Sequence, residues 1–91
     1  MLFAFYCLDK ENHGHVRAEN RNDHVSYLKS FGERVVTAGP LLSDDGESMI
    51  GSLIVLDLQS RDEAETIAAN DPYAKADLFR SVEIRPWKKV I

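Results

Sequence analysis

The stretch "ERVVTAGPLLSDDGESMIGSLIVLDL" (Glu33–Leu58) sets two strand-forming runs on either side of a turn. The first, "ERVVTAGPLL" (Glu33–Leu42), bends or ends near Gly39-Pro40, because proline has no N–H to give to a ladder. "SDDG" (Ser43–Gly46) is a turn signal, so the run "SMIGSLIVLDL" (Ser48–Leu58) is predicted to return antiparallel as a hairpin. What flanks this hairpin decides the architecture.

Towards the N-terminus, "LFAFYCL" (Leu2–Leu8) is an apolar, aromatic-rich run that reads as a buried strand. A polar turn, "DKENHGH" (Asp9–His15), leads to a helix expected from about Val16 to Phe31, with Gly32 as its C′ residue. Past the hairpin, Ser60 and Glu63 have the spacing of a capping box and open a second helix with Ala64, Ile67 and Ala68 on its inner face. Asp71-Pro72 closes it, since the residue before proline is pushed out of the α region. Asp71 can then cap a short helix over "PYAKADLF" (Pro72–Phe79), with Pro72 at its first position. "SVEIRPWKKVI" (Ser81–Ile91) is a last strand weakened by Pro86. The order is β-α-β-β-α-β, the split βαβ or ferredoxin-like pattern of the α+β class, in one domain over residues 1–91.

Both faces of these strands are apolar. Leu2, Ala4, Tyr6 and Leu8 oppose Phe3, Phe5 and Cys7, while Ile50, Ile54, Leu56 and Leu58 oppose Met49, Leu53 and Val55. Two helices cover one face of a sheet, and a second copy of the chain is the simplest cover for the other. The expectation is a homodimer with two sheets face to face, the partner covering Phe3, Phe5 or Leu53, or their opposites.

Composition narrows the functional classes. With 91 residues and a net charge of −4 spread along the chain, a nucleic-acid role is disfavoured, since phosphate binding wants a basic patch. No apolar stretch approaches the ~20 residues that span a bilayer. The N-terminus lacks the basic start of a signal peptide. The lone Cys7 lies in an apolar run and reads as a small buried hydrophobe. Together these point to a reduced, cytoplasmic protein with no membrane partner.

The first helix has a fault in its apolar stripe. Centred on Leu28, the stripe holds Val25 and Phe31, but Arg17, Arg21 and His24 also fall within roughly 40° of its line. One account is that the arginines snorkel and His24 makes a single buried hydrogen bond. The other is that this face borders a pocket between helix and sheet, where His24 exchanges a proton; histidine ordinarily titrates near neutrality. A working histidine needs an orienting carboxylate, and Asp71 follows the inner rhythm of helix two. Capping alone would also explain an Asp before Pro, and the two roles can coexist.

Other motifs carry less. His13 and His15 form an H-x-H pair in a polar turn without matching ligands, so no metal is named. The glycines fit no phosphate loop, and Ser52 lacks a nucleophile elbow. No cofactor motif is present.

Five segments together resemble one family. "RNDHVSYL" (Arg21–Leu28), "TAGPLL" (Thr37–Leu42), "GSLIV" (Gly51–Val55), "NDPYAKADLF" (Asn70–Phe79) and "VEIRPW" (Val82–Trp87) are similar to the YciI-like, or YCII-related, family, in its order and over nearly the whole chain. The resemblance implies a dimeric α+β barrel and a His–Asp pair in a cleft. The histidine of the family's R-x-x-H motif falls on His24, and the aspartate of its D-P-Y/F motif on Asp71. Arg21, Ser52 and Tyr73 match further positions near that cleft. A related branch eliminates chloride from a chlorinated hydroxyhydroquinone, and the wider superfamily includes lactone isomerases and oxygenases. Nothing in this sequence selects the chlorinated-aromatic branch.

The expected function is that of a small cofactor-independent enzyme performing elimination, dehydrochlorination or isomerisation on an anionic or phenolic molecule. His24 is the general base and acid and Asp71 holds its tautomer. Arg21 attracts the anion, while Ser52 and Tyr73 give hydrogen bonds. The alternatives are a non-catalytic small-molecule-binding or sensory dimer using the same cleft, and an interaction module with no cavity.

Overall fold

A computed structural model describes residues 1–91, and its element order follows the pattern above. Strand β1 (Leu2–Asp9) leads into helix α1 (Gly14–Lys29), and β2 (Val35–Leu42) and β3 (Met49–Asp57) form the hairpin. Helix α2 (Arg61–Asn70), the short α3 (Pro72–Lys75) and β4 (Phe79–Trp87) complete the chain. The four strands lie in the order β2-β3-β1-β4, every neighbouring pair antiparallel. Each crossover therefore skips one strand: α1 carries the chain from β1 past β3 to β2, and α2 with α3 carry it from β3 past β1 to β4. This is the ferredoxin-like α+β fold.

Element ends depart from the sequence expectation for local reasons. Helix α1 starts at Gly14 and stops at Lys29, each end earlier than expected; Gly32, at φ +56°, then turns the chain towards β2. At α2, Ser60 Oγ accepts the Glu63 N–H as a capping box requires, but the Glu63 carboxylate reaches the N–H of Gln59, one residue before the cap. Helix α3 is a single turn. Asp77 adopts φ +59° and pairs with Lys10 at 2.7 Å, ending the helix before Leu78 enters the core and Phe79 starts β4.

The pleat sorts the two faces. Phe3, Phe5 and Cys7 lie in register with Leu56, Ile54 and Ser52 on β3, and Phe5 with Ile84 on β4. These residues, except Ser52, join Leu28, Leu58, Ala64 and Ile67 in the core between sheet and helices. The opposite face carries Leu2, Ala4, Tyr6, Leu53 and Trp87, and Tyr6, Leu53 and Trp87 are exposed there. Phe3 and Phe5 thus belong under the helices and Leu53 on the open face. The expected grouping of all three on one face is corrected by the antiparallel register, which sets Tyr6, not Phe5, opposite Leu53.

Both edge strands contain a proline, Pro40 in β2 and Pro86 in β4. On β4 the Ile84 carbonyl also accepts the Arg61 guanidinium at 2.9 Å. One glycine is needed for close approach: a Cβ on Gly51 would drive into the Cys7 carbonyl oxygen of β1, and backbone cannot swing aside as a side-chain tip can. Gly51→Ala should therefore lower stability by about 2–4 kcal/mol, in the range of other backbone and overpacking losses. Gly39→Ala, with open space around its Cβ, should stay within about 0.5 kcal/mol. Thermal melts of the two variants test the contrast.

Candidate active site

Helix α1 packs chiefly on α3, and it leaves edge strand β2 without a helix above it. Residues Val36–Pro40 are accordingly exposed, and the small side chains of Ala38 and Pro40 floor a gap between α1 and the sheet. The gap is a cleft of about 440 Å³ lined by Arg17, Arg21, His24, Val25 and Leu28 of α1, by Ser52 of β3 and by Tyr73 of α3. The polar residues that interrupt the stripe of α1 face this space. A continuous apolar stripe would have closed it.

His24 and Asp71 meet at its back wall. His24 Nδ1 lies 2.8 Å and 3.0 Å from the two Asp71 carboxylate oxygens, with both residues buried. An ionised carboxylate only accepts, so the network assigns the proton to Nδ1. Nε2 has no protein partner, and no fully buried side-chain nitrogen or oxygen lacks one, so Nε2 keeps access to the cleft. Asp71 Oδ1 also accepts the Tyr73 N–H at 2.9 Å, capping α3. The cap and the histidine contact coexist in one carboxylate.

Tyr73 packs flat against the imidazole, with centroids 3.9 Å apart and planes 15° from parallel. The Arg17 guanidinium lies over the other part of this stack, 4.6 Å from the Tyr73 centroid. Burial pushes the Tyr73 phenol above its ordinary value, with the Arg17 charge opposing, so it stays protonated at neutral pH. The sequence expectation made Tyr73 a hydrogen-bond donor to substrate. The residue is about 1% exposed, yet it lines the cleft and its hydroxyl has no protein partner, and its ring supports the His24 imidazole from one side.

Arg21 lines the cleft, is exposed, and forms no hydrogen bond or ion pair with the protein. Arg17 is its opposite. Its Nε and Nη2 grip the Asp9 carboxylate at 2.7 Å and 2.9 Å, with both side chains 7% exposed, and Nη2 donates to Ser52 Oγ at 3.1 Å. Burial works against its charge, but the bonds and charge of Asp9 outweigh this and hold the guanidinium above its ordinary value. Arg17 does not snorkel. Sequence reasoning placed it on the inner face but left it out of the site, and missed Asp9 altogether. The available signal was that a buried arginine needs a carboxylate, and Asp9 stands eight residues before it across the turn. His13 and His15 lie apart from the cleft at the start of α1, their rings 6.0 Å from each other.

Comparison with known proteins places this geometry. Residues 1–88 match the YCII-related domain. The chain belongs to the YCII-related family. Protein YciI of Escherichia coli O6:H1 is 30% identical to this YCII-related protein over 97 aligned positions, with 99% of each chain covered, and Protein YciI of Shigella flexneri matches equally. Among solved structures, the 5-chloro-2-hydroxyhydroquinone dehydrochlorinase TftG of Burkholderia phenoliruptrix, in complex with 2,5-dihydroxybenzoquinone, superposes with a TM-score of 0.89. It is 33% identical, over 97% of this chain and 94% of that one. Atu4242 of Agrobacterium tumefaciens shares the fold at a TM-score of 0.55 and 16% identity, over 99% and 94% of the two chains. No helix of this YCII-related chain is long and apolar enough to cross a membrane.

Cys7 sits close behind the site. Burial first, then the charges of Asp71 and Asp9, push its thiol from an ordinary 9.0 up to about 12, with Arg17 opposing. The native thiol therefore keeps its proton where the unfolded one has lost it. The resulting stability is present below about pH 9 and is lost as pH rises towards about 12. Melts across that window should fall more steeply for wild type than for Cys7→Ala. Parallel slopes would place the thiol in contact with solvent.

Proposed function

We propose that this YCII-related protein is a small, cofactor-independent enzyme, a lyase or isomerase, that moves a proton on an anionic or phenolic molecule. The observation carrying the reading is the Asp71–His24 contact, which holds the proton on Nδ1 and presents Nε2 to an open cleft. Nε2 takes the substrate proton as general base and returns it as acid. Asp71 keeps the tautomer and stabilises the imidazolium. Arg21, free of protein partners, draws the anion in, and Ser52 hydrogen-bonds it. Tyr73 holds the imidazole plane. The dehydrochlorinase relative supports elimination as one form of this chemistry, since dehydrochlorination removes a proton together with chloride. Proton transfer through side chains calls for no cofactor. The working unit in this reading is a cytoplasmic homodimer of one domain, 1–91, whose open sheet faces pack together through Tyr6, Leu53 and Trp87.

The test uses 5-chloro-2-hydroxyhydroquinone and chloride release, with the lactone and enol tautomerisation reactions of small phenols as further assays. His24→Ala should lower turnover by about 10²–10⁴-fold while the melt stays near wild type. Asp71→Asn caps nearly as well, so it should keep the fold and lose turnover by the tautomer it imposes. A folded His24→Ala variant with full activity sinks the reading. Unfolding of His24→Ala would make the pair structural, and ligand binding without turnover would leave a sensory dimer. For assembly, sedimentation should give a dimer at micromolar concentration and Leu53→Arg a monomer; a wild-type monomer contradicts the sheet-to-sheet packing.

A further inference from the structure

Ser52 has one unspent bond. Arginine can only donate, so the 3.1 Å contact fixes Ser52 Oγ as acceptor from Arg17 Nη2. The hydroxyl proton goes to no protein acceptor, yet Ser52 is buried and borders the cleft. Arg17 itself cannot turn away. Asp9 holds it bidentately and Tyr73 lies beneath it. The outcome is a fixed donor with a buried cation directly behind it, across the same cleft that His24 Nε2 enters. Such a donor is worth most where negative charge develops on an oxygen in a site shielded from water. No carboxylate lines the cleft to compete for it.

We propose that Ser52, polarised by the Asp9–Arg17 pair, is an oxyanion site, and that the substrates are compounds whose reacting C–H or O–H is conjugated to a carbonyl. The inference rests on the proton-transfer reading and names its substrate class. When His24 Nε2 takes the proton, the electron pair of the broken bond forms the new π bond and the carbonyl π pair moves onto oxygen. The Ser52 O–H donates a hydrogen bond to that enolate or phenolate oxygen and keeps its proton. Collapse of the oxyanion restores the carbonyl. The displaced C=C π pair then either takes the proton back from His24 at the conjugated carbon or expels a leaving group with its bonding pair, in which case the His24 imidazolium gives its proton to solvent. Ser52 touches the substrate; Arg17 and Asp9 are positioning residues.

Two probes separate this role from simple shape. 4-Nitrophenol, titrated at a pH where it is the phenolate, carries the oxyanion, and nitrobenzene has the same ring without it. Wild type should prefer the phenolate, and Ser52→Ala should cut phenolate affinity about tenfold or more, the size of one hydrogen bond to a charged group, with nitrobenzene unchanged. His24→Ala should retain the preference. Arg17→Gln combined with Asp9→Asn, which removes both buried charges together, should weaken phenolate affinity by a similar factor to Ser52→Ala, Arg21 being untouched in both, and Ser52→Ala decides alone if the double variant melts. A wild type without preference, or equal effects of Ser52→Ala on both probes, overturns the oxyanion site. Phenolate affinity that is unchanged in the folded double variant removes Arg17 and Asp9 from it. Turnover is not read here, so failure of the proton-transfer reading leaves these affinities standing. An absent preference beside His24-dependent turnover would overturn the oxyanion assignment alone.

Discussion

A single carboxylate organises the interior on the helix side. Asp71 stands between α2 and α3, where its extended backbone (φ −60°, ψ 130°) ends one helix and begins the next. Its Oδ1 accepts a backbone N–H from α3 and a ring N–H from α1 at once. The first bond fixes where Tyr73 enters and the second fixes the rotation of His24, so the two rings stack as a consequence. Without that anchor, a four-residue helix has too few bonds of its own to hold a position.

From this anchor a line of contacts crosses the cleft wall: imidazole on phenol ring, guanidinium over phenol ring, carboxylate and hydroxyl on guanidinium. Every fully buried side-chain nitrogen or oxygen along it has at least one partner, and the valences left over, among them the Ser52 O–H and His24 Nε2, lie at the cleft. Buried polar groups are costly when half satisfied and rigid when fully satisfied. The completeness of the line therefore explains how a helix with arginine and histidine on its inner stripe packs at all, and why the apolar core lies lower, around Phe3, Phe5 and Leu56.

The fold was legible in the chain because its determinants are local. The "SDDG" turn, the Ser60 cap and Asp71-Pro72 each speak about their own few residues, and their succession is enough to order the strands. His24 and Asp71 were legible as inward residues on separate helices, and their contact awaited the packing of α1 on α3. Arg17 with Asp9 was not read as part of the site, because strand-to-helix geometry, and no helical spacing, brings them together. Sheet faces were half legible: alternation gave two apolar sets per strand, but joining the sets across strands needed the register.

The two prolines and the Arg61 contact on the Ile84 carbonyl bear on how the molecule behaves at high concentration. A sheet edge is a template for further strands, and proline withholds the N–H that such pairing uses. On β4 the guanidinium already occupies the Ile84 carbonyl. Lengthening of the sheet is obstructed at both margins, while the broad face opposite the helices keeps Tyr6, Leu53 and Trp87 exposed. A face buried against its like is used up by the first encounter, whereas an edge regenerates itself with every strand added. Blocked edges of this kind oppose growth of the sheet into fibrils.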